Sequence, residues 1–167
     1  MAFIFEPIER QKHNRASFKC GQADLDRYLH SQATQDIKKR VATVFVLVDH
    51  PSNNVVAYYT LSAYSIELVE LDNVLAKSLP KYPLLPATLL GRLAVDVNYQ
   101  GKGLGEVVLV DALKRSLLAT VQVASIAVVV DALNERAASF YQKYGFQQFK
   151  QHPLKLYLSM QSVAQLF

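Results

Sequence analysis

An α/β (α+β) domain built on a mixed central sheet with flanking helices is the fold class this sequence predicts, and three observations predict it. Segments with strand character and segments with helical periodicity alternate along the chain. The first half holds two β-rich runs joined by a short turn, which reads as an antiparallel hairpin. The second half reads strand, glycine loop, helix, strand, helix, the order of a βαβ unit with parallel strands. The 167 residues, 51% hydrophobic and 19% charged, suffice for one domain, 1–167, that buries about two thirds of its unfolded surface.

Phe3 to Phe5 is an edge strand ended by Pro7. Asp24 has the chemistry of an N-cap and opens a helix to Lys39, with Leu25, Tyr28, Leu29 and Ala33 on one face. Val41 to Val48 is a strand, Pro51-Ser52-Asn53-Asn54 a turn, and Val55 to Ile66 the returning strand. Leu71 to Lys77 is a short helix, after which Pro80, Pro83 and Pro86 impose extended or turn backbone. Leu89 to Val95 is a strand, and Gly103 to Ala119 a helix with Leu109, Leu113 and Leu117 stacked at four-residue spacing. Ser125 to Val130 is almost wholly apolar, as a central strand covered on both faces must be. Asn134 to Tyr144 is a helix whose natural left-handed terminator is Gly145. Phe146 to Phe149 and Leu154 to Met160 close the chain as strands.

Composition bounds the function. Cys20, the single cysteine, cannot form an internal disulfide, which fits a reducing cytosol. It reads as a small, partly buried residue, since no histidine near it in sequence suggests a nucleophile. Met1 to Glu9 is too short, and too acidic at its end, for a signal peptide, and no apolar run approaches the length of a membrane span. A cytoplasmic protein without membrane contact and without a metal is expected. The net charge of +4 is unevenly spread. Residues 10–40 hold Arg10, Lys12, Arg15, Lys19, Arg27, Lys38, Lys39 and Arg40 against Asp24, Asp26 and Asp36, and residues 136–167 hold Arg136, Lys143, Lys150 and Lys155 with no acid. Such patches suit either a polyanionic partner such as RNA or an ordinary solvated surface.

The segment with the most chemistry is Gln100-Gly101-Lys102-Gly103-Leu104-Gly105, placed after a strand and opening a helix. Unpaired N–H groups and the positive end of the helix dipole meet there, and glycines remove the side chains that would block approach. Together these make a cradle for phosphate oxygens. The spacing Gly-x-Gly-x-Gly is not the dinucleotide fingerprint, and the Gly-Lys-Ser/Thr ending of a triphosphate loop is absent. Alone, the loop also reads as a glycine-rich turn without a ligand.

A second segment separates these readings. Asn134-x-x-Ala137-x-x-Phe140-Tyr141-x-x-x-Gly145-Phe146 follows the apolar strand that runs into Val130-Asp131-Ala132. With Gln100-x-x-Gly103-x-Gly105, it resembles the GCN5-related N-acetyltransferase superfamily over residues 40–150. The resemblance implies acetyl-CoA as acetyl donor. It also implies two parallel strands, Leu89 to Val95 and Ser125 to Val130, that splay apart to admit the pantetheine arm. Main-chain groups of Leu93, Ala94 and Val95 would pair with that arm. Gln100, Gly101, Lys102, Gly103, Leu104 and Gly105 would hold the pyrophosphate, and Asn134 would fix the arm from the other side. Tyr141 would sit near the thioester sulfur. Amine attack on a thioester builds an oxyanion, which a strand N–H stabilises, and expels a thiolate, to which a tyrosine can donate a proton. The other reading of Tyr141 is a packed core aromatic. Tyr99 and Tyr144 read as structural, and Asp96 and Asp131, at strand ends, as loop caps before they read as bases.

A narrower resemblance spans nearly the whole chain. Phe18-Lys19-Cys20-Gly21, Leu25-Asp26-Arg27-Tyr28-Leu29, Ala57-Tyr58-Tyr59-Thr60-Leu61-Ser62, Leu79-Pro80-Lys81-Tyr82-Pro83, Leu90-Gly91-Arg92-Leu93-Ala94-Val95-Asp96 and the ending Pro153-Leu154-x-Leu156-Tyr157-Leu158-x-Met160 are similar to the acetyltransferase toxins of bacterial type II toxin–antitoxin pairs. That family acetylates the α-amino group of aminoacyl-tRNA and so stops translation. Its members dimerise and are neutralised by a ribbon-helix-helix antitoxin. On this reading Arg92, Lys38, Lys39, Arg40, Lys143 and Lys150 are candidates for contact with the tRNA. Arg92 is the foremost, with a structural ion pair as its other reading. Two alternatives remain: an ordinary N-acetyltransferase acting on a protein N-terminus or a small amine, and a non-catalytic acyl-CoA-binding module.

Overall fold

Seven strands and six α-helices alternate along residues 2–167, the residues that the computed structural model describes. They group into two compact units. The first comprises the residues up to Ser62 with Arg92–Ala112, and the second comprises Ala63–Gly91 with Leu113–Phe167.

In the first unit β1 (Ala2–Pro7), β2 (Thr43–His50) and the leading part of β3 (Asn54–Glu67) are antiparallel neighbours, with Phe5 opposite Leu47 and Val46 opposite Tyr58. β2 and β3 form the expected hairpin, with a bulge between Leu47 and Val48. One face of these strands buries Val44, Val46, Val48, Val55 and Tyr58 against Phe18, Tyr28, Leu29 and Ala33. The helical segment predicted from 24 to 39 is broken. It runs as α1 (Ala23–Arg27), a π turn over Tyr28–Gln32, and α2 (Ala33–Lys38). Asp24 is not its cap. Gln22 holds that position with no side-chain bond, while Asp24, inside the first turn, pairs with Arg27 at 2.9 Å. Acid in a first turn suits the helix dipole without capping it.

In the second unit α3 (Asn73–Ser78) is capped by Asp72, whose carboxylate accepts the Leu75 N–H at 2.9 Å. β4 (Leu84–Val95) starts five residues before the predicted Leu89. Pro86 fits the strand because its carbonyl accepts the Ile126 N–H at 2.9 Å. β4 is parallel to β5 (Ala127–Asp131) over Thr88–Leu90, and β7 (His152–Ser159) is antiparallel both to β5 and to β6 (Gln147–Phe149). The order β4-β5-β7-β6 is therefore mixed, as expected. Ala127–Val130 are fully buried. α4 (Leu104–Ala119) and α5 (Glu135–Lys143) follow β4 and β5 as the helices of a βαβ pattern. The predicted strand Leu154 to Met160 gives way at its end to α6 (Met160–Ala164). Ser159 caps this helix, its hydroxyl accepting the Ser162 N–H at 3.1 Å, so Met160 is helical and not strand. No described helix is long and apolar enough to cross a membrane.

Candidate active site

The predicted site residues fall into two sets, one in each unit. In the first unit, Leu93, Ala94 and Val95 end β4, and Gly101 to Gly105 lead into α4. Gly101 and Gly103 have φ of +77° and +78°, a region closed to most L side chains. A Cβ on either would meet nothing within 4 Å, so the space over the loop is open, as a phosphate cradle requires. The loop is fastened from below. The Gln100 side-chain amide donates to the carbonyls of Cys20 and Val95, both at 2.8 Å. The buried Asp96 carboxylate accepts the N–H groups of Lys19 at 3.0 Å and Asn98 at 2.9 Å. Gln100, expected as a cofactor ligand, thus spends its amide on holding the loop to the Phe18–Gly21 segment. Asp96 thus engages both its oxygens as a loop cap. Lys102 is exposed, with its ammonium 5.7 Å from the Tyr99 ring centre. Cys20 is buried, and its thiol is pushed up to about 11, chiefly by burial and also by Asp26, so it is inert at neutral pH.

Arg92, also on β4, is in no ion pair among the described residues. Its guanidinium carbon lies 3.6 Å from the centre of the Tyr28 ring. Lys38, Lys39 and Arg40 are exposed at the end of α2, where Arg40 takes a left-handed φ of 59°.

In the second unit, Asn134 is the N-cap of α5, its side-chain oxygen accepting the Ala137 N–H at 2.9 Å. That bond leaves its NH₂ group for other partners. Tyr141 is 8% exposed near the end of the same helix. Burial alone pushes its phenol well above the usual tyrosine range, so it is protonated at any physiological pH. The helix ends in a Schellman motif. The Phe146 N–H returns to the Tyr141 carbonyl at 3.3 Å and the Gly145 N–H to the Gln142 carbonyl at 3.0 Å, with Gly145 at φ +98°. Its accompanying apolar contact is the Tyr141–Phe146 ring pair, 5.4 Å between centres. The Phe140-Tyr141-x-x-x-Gly145-Phe146 signature is therefore the code for a helix end that fixes the Tyr141 ring. Gly145 and Phe146 hold that ring in place, and the sequence signal for them is the glycine itself. Lys143 lies 5.8 Å from the Tyr144 ring centre, and Lys150 donates to the Asn73 side chain at 3.3 Å. Tyr144 caps the helix C-terminus and Tyr99 ends the short turn after β4, structural positions for both.

Comparison with known proteins sets these halves in context. Residues 40–148 match the family model of the acetyltransferase (GNAT) domain. The tRNA-acetylating toxin of Mycobacterium tuberculosis is 32% identical over 150 residues, which cover 90% of this chain and 88% of that protein. Among solved structures, AtaT complexed with acetyl-methionyl-tRNA superposes with a TM-score of 0.92 at 26% identity, covering 99% of each chain. AtaTR bound with acetyl-CoA superposes with a TM-score of 0.85 at 26% identity, covering 99% of this chain and 98% of that one. With the glycine loop, the capped helix and the Tyr141 signature in their family order, this chain belongs to the GNAT acetyltransferases.

Proposed function

We propose that this acetyltransferase is a toxin that transfers the acetyl group of acetyl-CoA to the α-amino group of aminoacyl-tRNA and thereby stops translation. The observation that carries the reading is the extent of the likeness to AtaT in its acetyl-methionyl-tRNA complex. It covers 99% of the chain, and so includes the basic residues 10–39 that precede the acetyltransferase match at residues 40–148. Residues 1–167 work as one acetyltransferase domain in the cytoplasm, where charged tRNA is found. The active form is a homodimer, and a ribbon-helix-helix antitoxin neutralises it.

Bound acetyl-CoA supplies an acetyl group already activated as a thioester. The open glycine loop and the N-terminus of α4 hold its pyrophosphate. Main-chain groups of Leu93, Ala94 and Val95 hold its pantetheine arm, with the free NH₂ of Asn134 as a further donor. The Tyr141 phenol, kept protonated by burial, gives its proton to the departing sulfur. No carboxylate base is needed. A free α-amino group titrates near 7.7 to 8, and the adjacent ester lowers that further, so much of the substrate is already neutral at pH 7. The test is incubation of the protein with charged tRNAs and labelled acetyl-CoA, followed by mass analysis of the released aminoacyl ends. Acetyl-aminoacyl products are expected. Acetyl-CoA turnover on small amines with untouched charged tRNA would refute the toxin reading.

A further inference from the structure

Side chains two apart on a strand share a face. Ala94 of β4 is buried in the core that holds Tyr28 and Tyr58, and Arg92 emerges on the same face, half-buried. Its guanidinium carbon lies over the Tyr28 ring, 3.6 Å from the ring centre, at cation–π distance.

Tyr28 is itself immobilised. Its hydroxyl donates to Asp36 Oδ2 at 2.8 Å, and the other Asp36 oxygen accepts the Gln32 amide at 3.0 Å. Its ring is nearly parallel to that of Tyr58, at 11° and 6.2 Å between centres, and the Tyr58 hydroxyl donates to the Leu25 carbonyl at 2.6 Å. Tyr28 also opens the π turn, whose defining bond runs from the Ala33 N–H to the Tyr28 carbonyl. Such turns are rare and concentrate at functional sites. Here the turn opens at the residue whose ring lies under Arg92 of β4, and Arg15 braces the turn through Leu29 O at 3.2 Å and Thr34 Oγ1 at 2.8 Å.

Arg92 therefore has one face on an aromatic ring, while its N–H edge donates to no carboxylate or carbonyl among the described residues. A planar guanidinium held this way is prepared for bidentate bonding to a phosphate. The exposed Lys38, Lys39 and Arg40 follow Asp36 within four residues and add to the attraction of a polyanion.

We propose that Tyr28, held by Asp36 and Tyr58, is a positioning residue that fixes Arg92 as a bidentate clamp for a backbone phosphate of the tRNA acceptor. The inference rests on the toxin reading above and adds to it the group that orients the substrate. Its test uses the full chain with charged tRNA. Arg92→Lys keeps the charge but loses the planar stack, and it should raise KM for charged tRNA about tenfold, the size of one charge-assisted contact, with kcat nearly unchanged. Tyr28→Leu should do the same, and combining it with Arg92→Lys should add little, because both break one interaction. Tyr28→Phe keeps the ring and loses only the Asp36 hydrogen bond, so its KM for charged tRNA should rise less than that of Tyr28→Leu. Asp36→Asn gives a second route if Tyr28→Leu does not fold, with a smaller KM rise expected. Acetyl-CoA affinity, measured directly, should be unchanged in every folded variant. Unchanged tRNA KM in Arg92→Lys and in Tyr28→Leu or Asp36→Asn overturns the clamp and leaves the toxin reading intact. A rise in acetyl-CoA KM instead overturns it by assigning Arg92 to the donor. If the unmodified protein binds charged tRNA without acetylating it, the toxin reading fails. The clamp then stands or falls on whether Arg92→Gln lowers the salt slope of binding by about one phosphate contact.

Discussion

Burial decides what Tyr141 can do. A phenol raised by desolvation keeps its proton far above neutrality, so in the proposed reaction it is available as an acid and not as a base. The protonated form dominates at every pH below the raised value, so rising pH does not remove the acid between pH 7 and 9. Rate should instead rise only modestly above pH 7, as the remaining protonated amine loses its proton, and then stay level to pH 9. A rate that falls through pH 8 to 9 would point to a different acid. Tyr141→Phe should bind acetyl-CoA nearly normally and lose turnover about a hundredfold or more, as single-turnover acetylation would report. Asn134 has two separable duties. Asn134→Ala removes the cap on α5 and should cost about 1 kcal/mol by thermal or denaturant melting. Asn134→Ser keeps a cap acceptor but lacks the NH₂ group, so it should melt normally and raise KM for acetyl-CoA. If Asn134→Ser leaves that KM unchanged, the cap is its whole role.

The elements most legible in the sequence are those where one residue type is required by backbone geometry. Gly101, Gly103 and Gly145 occupy positive φ, and Asn134 and Gly145 bracket α5 at the offsets that caps demand. Apolar runs such as Ala127–Val130 were equally plain, since a strand buried on both faces has no polar positions to confuse the reading. Less legible were features set by tertiary contacts. Nothing local separates the π turn at Tyr28–Gln32 from continuous helix, because Tyr58, Arg15 and Asp36 hold it from outside. Asp24 resembled a cap but lies one position inside the helix, while the Ser159 cap was concealed in an otherwise apolar strand ending. The Schellman end of α5 makes a prediction at this scale. Gly145→Ala forces a Cβ onto φ +98° and brings it to 3.6 Å from Leu158, costing about 1 kcal/mol or more. Thermal melting should fall by a few degrees. Turnover should fall by more than stability accounts for, because the Phe146 contact that sets the Tyr141 ring shifts with the turn. A variant that is only less stable, with full turnover where it is folded, would separate the turn from the catalytic group.

At the scale of the whole chain, the sequence showed that charge is uneven but not which cations are engaged. Lys150 is partly spent on Asn73, Lys12 on Glu6 and Arg27 on Asp24, whereas Lys38, Lys39 and Arg40 form an exposed run that closes α2. Arg92, for which the sequence offered either an RNA contact or an ion pair, turned out to be stacked on an aromatic ring, a partner invisible without the fold. The +4 net charge is small for a nucleic-acid binder, so affinity must come from local clusters and not from the mean field. Cations at such a cluster release counterions from the nucleic acid, and each phosphate contact contributes about 0.7 to 0.9 to the slope of log affinity against log salt. Reversing Lys38, Lys39 and Arg40 to Glu should therefore weaken tRNA binding most at low salt and flatten that slope, with wild-type and variant affinities converging as salt rises. The three sites are exposed and remote in sequence from the glycine loop, so acetyl-CoA binding should be unchanged. Titration of the variant and the wild type with uncharged tRNA over a salt series measures both quantities at once. An unchanged slope in a folded variant would remove this run from the tRNA interface and leave Arg92 as the first cation to test.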